Sequence, residues 1–258
     1  MEYVAVEEAR TASGLRLVLT GGLPAPWSEA AKGVFRARNI DYIPVLQKGG
    51  GPNEDIVAWT GHRNAPTAMY NNEPARVSAL DMINLAERLG SGPSLVPATI
   101  NDRITMFGLL NEIAGGNGLA WNARTVMFAA MIETMGKEAM ASNPMLNEYQ
   151  YSADKSASAP GKVIEVLQAL STQLQHQSSV GSRYFIGNSL CALDIYWACF
   201  SQMLDALPAD VNPMPDYMRN VWGMVSQALQ GTGYKIDNAL LEHRDYIFQN
   251  HLQLPLDF

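Results

Sequence analysis

The sequence predicts an α/β domain followed by an all-α domain, and three observations carry that expectation. Up to residue 90, short apolar runs alternate with stretches of helical spacing. The segment Gly90-Ser-Gly-Pro-Ser-Leu-Val-Pro97 then breaks all periodicity with two glycines and two prolines, as a linker does. Beyond it almost every segment has helical spacing. The expected domains are residues 1–90 and 98–258.

In chain order, Leu15 to Thr20 is an apolar run of strand length and reads as a strand. Pro26 to Arg38 reads as a helix, since proline is well placed in a first turn. Tyr42 to Leu46 reads as a second strand, and Thr67 to Tyr70 with Pro74 to Val77 as a hairpin around Asn71-Asn72. Ser78 to Leu89 reads as a helix opened by a capping serine. Strand, helix, strand, hairpin and helix call for a small sheet layered with helices. The second domain should hold helices over Asn101 to Ala114, Trp121 to Ala141, Pro160 to Gln175, Cys191 to Ala206, Pro215 to Gln230 and Asn238 to Phe248. Gly115-Gly-Asn-Gly118 separates the first two.

Composition narrows the function. A chain of 258 residues, 47% hydrophobic and 17% charged, has ample material for a core. Its formal net charge of −7 leaves no basic excess for a phosphate backbone or an anionic membrane, so neither nucleic acid nor membrane is an expected partner. No apolar run suits a signal peptide or a bilayer crossing, and a soluble cytoplasmic protein is expected. Cys191 and Cys199, eight apart in one helical stretch, read as reduced buried side chains. The four histidines show no metal spacing, and Gly49-Gly-Gly51 lacks the lysine-threonine ending of a phosphate loop.

Two local features suggest a ligand site. Pro66, just before a strand, can hold a cis bend that exposes the amide and carbonyl of Ala65; an ordinary trans turn is the competing reading. Ser78 opens a helix whose free amides favour a carboxylate, although a plain cap accounts for it equally well.

Three stretches resemble the glutathione transferase superfamily. Pro26-Trp-Ser-Glu-Ala-Ala-Lys-Gly-Val-Phe-Arg-Ala-Arg-Asn-Ile-Asp-Tyr42 is similar to the family's first helix and the entry into its second strand. Asn64-Ala-Pro-Thr-Ala-Met-Tyr-Asn-Asn-Glu-Pro-Ala-Arg-Val-Ser78, with Leu85-Ala-Glu87 after it, resembles the cis-proline, hairpin and helix start without gaps. Tyr184-Phe-Ile-Gly-Asn-Ser-Leu-Cys-Ala-Leu-Asp194 looks like the family's buried capping box, with Cys191 in place of the usual hydroxyl. The resemblance implies a thioredoxin-like N-terminal domain followed by an all-helical bundle.

The resemblance also implies a ligand and a set of roles. Glutathione, as co-substrate or ligand, would lie against Asn64, Ala65, Pro66, Val77 and Ser78, pairing strand-fashion with Ala65 and setting its γ-glutamyl carboxylate at Ser78. Relatives have an acid or glutamine where this chain has Val77, so one polar contact is missing. They activate the thiol with a tyrosine, serine or cysteine, yet Ala25 takes the serine or cysteine position and Thr20 or Gly21 the tyrosine position. Thr20 and Ser28 are the remaining catalytic candidates; their structural alternatives are a β-branched strand end and a self-bonded first-turn residue. Trp27, Trp121 and Phe128 would line a pocket for a small apolar electrophile, or else form core. The expected protein is a homodimeric conjugating enzyme. The alternative is a non-catalytic relative that binds glutathione, apolar ligands or another protein. A reductase or isomerase would need a cysteine at Ala25.

Overall fold

The computed structural model describes residues 1–258. Its N-terminal part runs α1 (Val6–Thr11), β1 (Leu15–Thr20), α2 (Pro26–Ala37), β2 (Ile43–Gln47), α3 (Glu54–Thr60), β3 (Thr67–Tyr70) and α4 (Ala79–Leu89). The rest is helical: α5 (Ile100–Ala114), α6 (Leu119–Met135), α7 (Lys137–Met140), α8 (Pro144–Glu148), α9 (Ala153–Ser179), α10 (Ala192–Ser201), α11 (Asp216–Gly231) and α12 (Asn238–His251). No helix is long and apolar enough to cross a membrane.

The sheet has the order β2-β1-β3. β1 runs parallel to β2 with Thr20 opposite Gln47, and antiparallel to β3 with Val18 opposite Thr67. A central strand covered on both faces should be apolar along its length, and Leu15, Leu17, Val18 and Leu19 are all buried. Leu15, Leu17 and Leu19 enter a large core shared with α2, α4 and the helical part, whereas Val18 joins Val45 and Ile56 in a small cluster that Trp59 covers. Trp59 packs α3 onto that small cluster.

Four departures from the sequence reading have local causes. Pro74 to Val77 is not a strand: a single bridge joins Ala68 to Arg76, because Pro74 has no N–H for a ladder. The helix expected to reach Ala141 stops at Met135, where Gly136 takes a φ of +90°. The helix expected to start at Pro160 starts at Ala153, capped by Ser152 accepting from the Lys155 amide at 3.2 Å; a 27-residue helix tolerates one absent hydrogen bond. The short α1, α3 and α8 have no counterpart in the sequence reading.

The two parts meet along α2 and α10. Gly33 allows the close approach there, since a Cβ would come within 2.8 Å of side-chain methyls of both Ile195 and Leu252. Leu252 begins a tail that folds back onto α2, where Lys32 donates to the Asp257 carbonyl and Arg36 to Gln253. The Leu256 amide donates to Asn212 Oδ1 at 3.0 Å, tying the tail down further.

Candidate functional site

Sheet register assembles one edge of the molecule. The Ala65–Pro66 peptide is cis. The β1–β3 ladder ends at Val18 opposite Thr67, immediately after the Ala65–Pro66 bend and two residues before Thr20 ends β1, and the Ala68–Arg76 bridge lies two residues before Ser78. Gln47 and Thr20, the Ala65–Pro66 bend and Ser78 thus lie in a row along this end of the sheet, and Ala25 starts α2 nearby in sequence. The sequence-predicted residues Asn64, Ala65, Pro66, Val77, Ser78, Thr20 and Ser28 converge on this edge.

At the open end of the row, Ser78 and Val77 are exposed. Ser78 Oγ accepts from the Asp81 amide at 3.0 Å and donates to Asp81 Oδ2 at 2.8 Å. Burial works to raise the Asp81 carboxyl, and hydrogen bonds from Ser78 and the Val77 backbone outweigh it and hold the group below its ordinary value. Asn64 contributes its carbonyl to the bend, accepting from the Thr67 hydroxyl at 2.8 Å.

At the inner end both hydroxyls are engaged within the protein. Thr20 Oγ1 donates to Gln47 Oε1 at 2.9 Å, and the Thr20 amide donates to Ser28 Oγ at 3.2 Å. Gln47 in turn donates to the Arg63 carbonyl at 3.4 Å. Thr20 therefore directs its proton to Gln47, and Ser28 is only 2% exposed. Neither offers a free donor to a thiol as the structure stands. The first-turn amides of α2 at Trp27 and Ser28 have no partner within the helix, and they carry its positive dipole end.

Trp27 turns toward the helical part. Its Nε1 donates to the Ala114 carbonyl at 3.2 Å and its ring meets Phe200 edge-on at 4.8 Å. Trp121 and Phe128 meet Tyr149 at centroid distances of 4.7 and 5.9 Å. Phe128 is fully buried, so these residues enclose a filled slot and not an open apolar pocket. Arg124 lies between the two groups, with its guanidinium carbon 4.7 Å from the Trp27 ring centroid and 4.5 Å from that of Tyr149. Immediately before Tyr149, Glu148 of α8 pairs with Arg63 at 2.8 Å, tying the segment beside the slot to the cis-proline loop.

Sequence reasoning missed Gln47, Arg124 and Tyr149. Arg124 left one signal: it and Glu133 are the only charged residues in α6. A separate cavity of about 610 Å³ lies between α2 and the C-terminal tail, lined by Glu29, Lys32, Arg36, Tyr42, Cys199 and Leu252 among others. It shares no residue with the row at the sheet edge.

The sequence matches no family model, and no curated protein matches it. Solved structures do match the fold. A glutathione S-transferase domain-containing protein of Marinobacter aquaeolei VT8 superimposes with a TM-score of 0.61 at 12% identity, over 91% of this chain and 98% of that one. A glutathione S-transferase of Methylobacillus flagellatus KT, solved with glutathione bound, gives 0.56 at 13% identity over 89% and 98%. A Methylobacterium radiotolerans glutathione S-transferase in complex with glutathione sulfonate gives 0.54 at 11% identity over 90% and 94%. The chain has the glutathione transferase fold: a thioredoxin-like sheet domain followed by an all-helical bundle.

Proposed function

We propose that the row formed by Ala65, Pro66 and Ser78 binds glutathione, and that the protein adds the glutathione thiol to a small electrophile held by the helical part. One observation carries the reading: the Ala68–Arg76 bridge ties the strand that follows the Ala65–Pro66 bend to the segment leading into the exposed Ser78 at the start of α4. A tripeptide with an extended cysteinyl backbone and an α-carboxylate matches those two features in order. Val77 supplies no polar contact, so main chain and helix terminus would carry recognition.

The chemistry requires a thiolate, and the first turn of α2 can stabilise one through its unpaired amides. The thiolate then attacks the electrophile, a carbon–sulfur bond forms, and for an aryl halide the halide leaves. Thr20 assists only if its hydroxyl releases Gln47. That engagement, together with Ala25 at the start of α2, favours a second reading in which the protein binds glutathione without turning it over. A homodimer and a cytoplasmic setting belong to the proposal through the family resemblance alone.

Calorimetric titration with glutathione, paired with a conjugation assay on an aryl halide, tests both readings. Saturable binding with turnover supports the enzyme. Binding without turnover supports the second reading, and absence of binding sinks both.

A further inference from the structure

The slot between α6 and α8 is built around a cation without a counter-ion. Arg124 is half-buried, its guanidinium set against the rings of Trp27 and Tyr149, and no carboxylate pairs with it. The adjacent acid, Glu148, is committed to Arg63. Holding an arginine away from water without an ionic partner is costly, and stacked aromatic rings offset only part of the cost. In keeping with this, burial pulls the Arg124 guanidinium down to about 10, against the opposing influence of Glu148.

Tyr149 shows what the slot accepts. Its ring meets Trp121 and Phe128, and its hydroxyl oxygen accepts a hydrogen bond from Arg124 Nη1. Tyr149 follows directly after the short α8, so the residue can leave without dismantling a long helix. An aromatic ring bearing an acid would reproduce every contact Tyr149 makes and would add the missing charge.

We propose that the slot filled by Tyr149 is a binding site for an aromatic carboxylate, with Arg124 as its counter-ion. As the second-substrate site of a conjugation it rests on the reading above, whereas binding of the acid alone does not. It replaces the apolar molecule expected from the sequence with an amphipathic one: an aryl body against Trp121 and Phe128, and an anionic head at Arg124. Discrimination follows from the same contacts. A neutral amide of equal shape keeps the ring packing and loses the ionic hydrogen bond, a loss of about tenfold in affinity.

The test uses 4-chloro-3-nitrobenzoate and 4-chloro-3-nitrobenzamide, titrated against the full chain without glutathione and followed by calorimetry and tryptophan fluorescence. The wild type should bind the acid about tenfold more tightly than the amide. Arg124→Gln should erase the preference, Arg124→Lys should retain part of it, and Tyr149→Ala should tighten binding of the acid by vacating the slot. Equal binding of the two probes by the wild type overturns the proposal, as does a preference that survives in Arg124→Gln. Should the glutamine variant not fold, Tyr149→Ala decides, because weaker binding of the acid there contradicts Tyr149 as the present occupant. A parallel titration of the wild type with glutathione keeps the two readings apart: acid binding without glutathione binding removes the conjugating enzyme and leaves the anion site standing.

Discussion

The starts of α4 and α10 follow one plan at different depths. Each has an acid at its third residue bonding back to the cap: Asp81 to Ser78, and Asp194 to Cys191. At α4 the cap is exposed, and its hydroxyl and acid bond to each other. At α10 the acid is wholly buried and collects the Phe185 amide at 2.9 Å, the Cys191 amide at 2.8 Å and His243 Nε2 at 2.9 Å. The second arrangement has no capacity left for a ligand, while the first keeps a helix terminus open to solvent. Depth, and not the capping motif, separates a structural helix start from one that can take a carboxylate.

The sharpest way to break this comparison is at Asp194. Asp194→Ala orphans three buried donors at once and should cost about 3 to 5 kcal/mol, with denaturant unfolding as the measurement. A loss near that of an exposed cap would mean that α10 does not depend on its buried acid.

At α4 the expected effects are smaller and of two kinds. Ser78→Ala should cost about 1 kcal/mol of stability as a lost cap. If the terminus also holds a glutathione carboxylate, it should weaken calorimetric affinity by about tenfold, in line with one hydrogen bond to a charged group. Unchanged affinity alongside reduced stability would leave Ser78 a cap only.

Glu29 sharpens the point about buried acids. It is buried too, though not as completely as Asp194, and has one ionic partner, Lys32 at 2.8 Å. Burial raises its carboxyl to about 7 against the pull of Lys32. Because the folded value lies above the unfolded one, Glu29 contributes its stability below pH about 4.5 and loses it as pH rises through about 7. Wild type should therefore lose melting temperature relative to Glu29→Gln between pH 5 and 8, by roughly a few degrees. A constant difference between the two proteins across that range would remove Glu29 as the titrating group.

The smallest effect is expected at Thr20. Thr20→Val removes the bond to Gln47, which spans two strands at the sheet edge. It should cost about 1 kcal/mol and slow conjugation only modestly if the α2 amides hold the thiolate. A rate loss of about a hundredfold or more would make the hydroxyl the principal donor instead.

Much of the fold was legible because it rests on local rules. The alternation of strand and helical periods, the proline before a strand, the capping serine at a helix start and the glycine-rich break at 115–118 each act within a few residues. The missed helices α1, α3 and α8 are six, seven and five residues long, too short for periodicity to stand out. The false strand at Pro74 to Val77 came from weighing spacing over the missing amide of Pro74.

The candidate site divides along the same line. The sequence by itself placed the bend at Ala65-Pro66 and the helix start at Ser78, because proline geometry and capping are properties of the immediate chain. Only the tertiary structure decided that Thr20 spends its hydroxyl on Gln47, that Ser28 is sealed beneath it, and that Tyr149 stands at Arg124 against the ring of Trp121. Thr20 and Gln47, and Tyr149 with Arg124 and Trp121, lie 25 to 28 positions apart in sequence, and their meeting depends on how strands and helices pack. Local chemistry fixed where a ligand could lie; long-range packing fixed which charges and hydroxyls remain free to meet it.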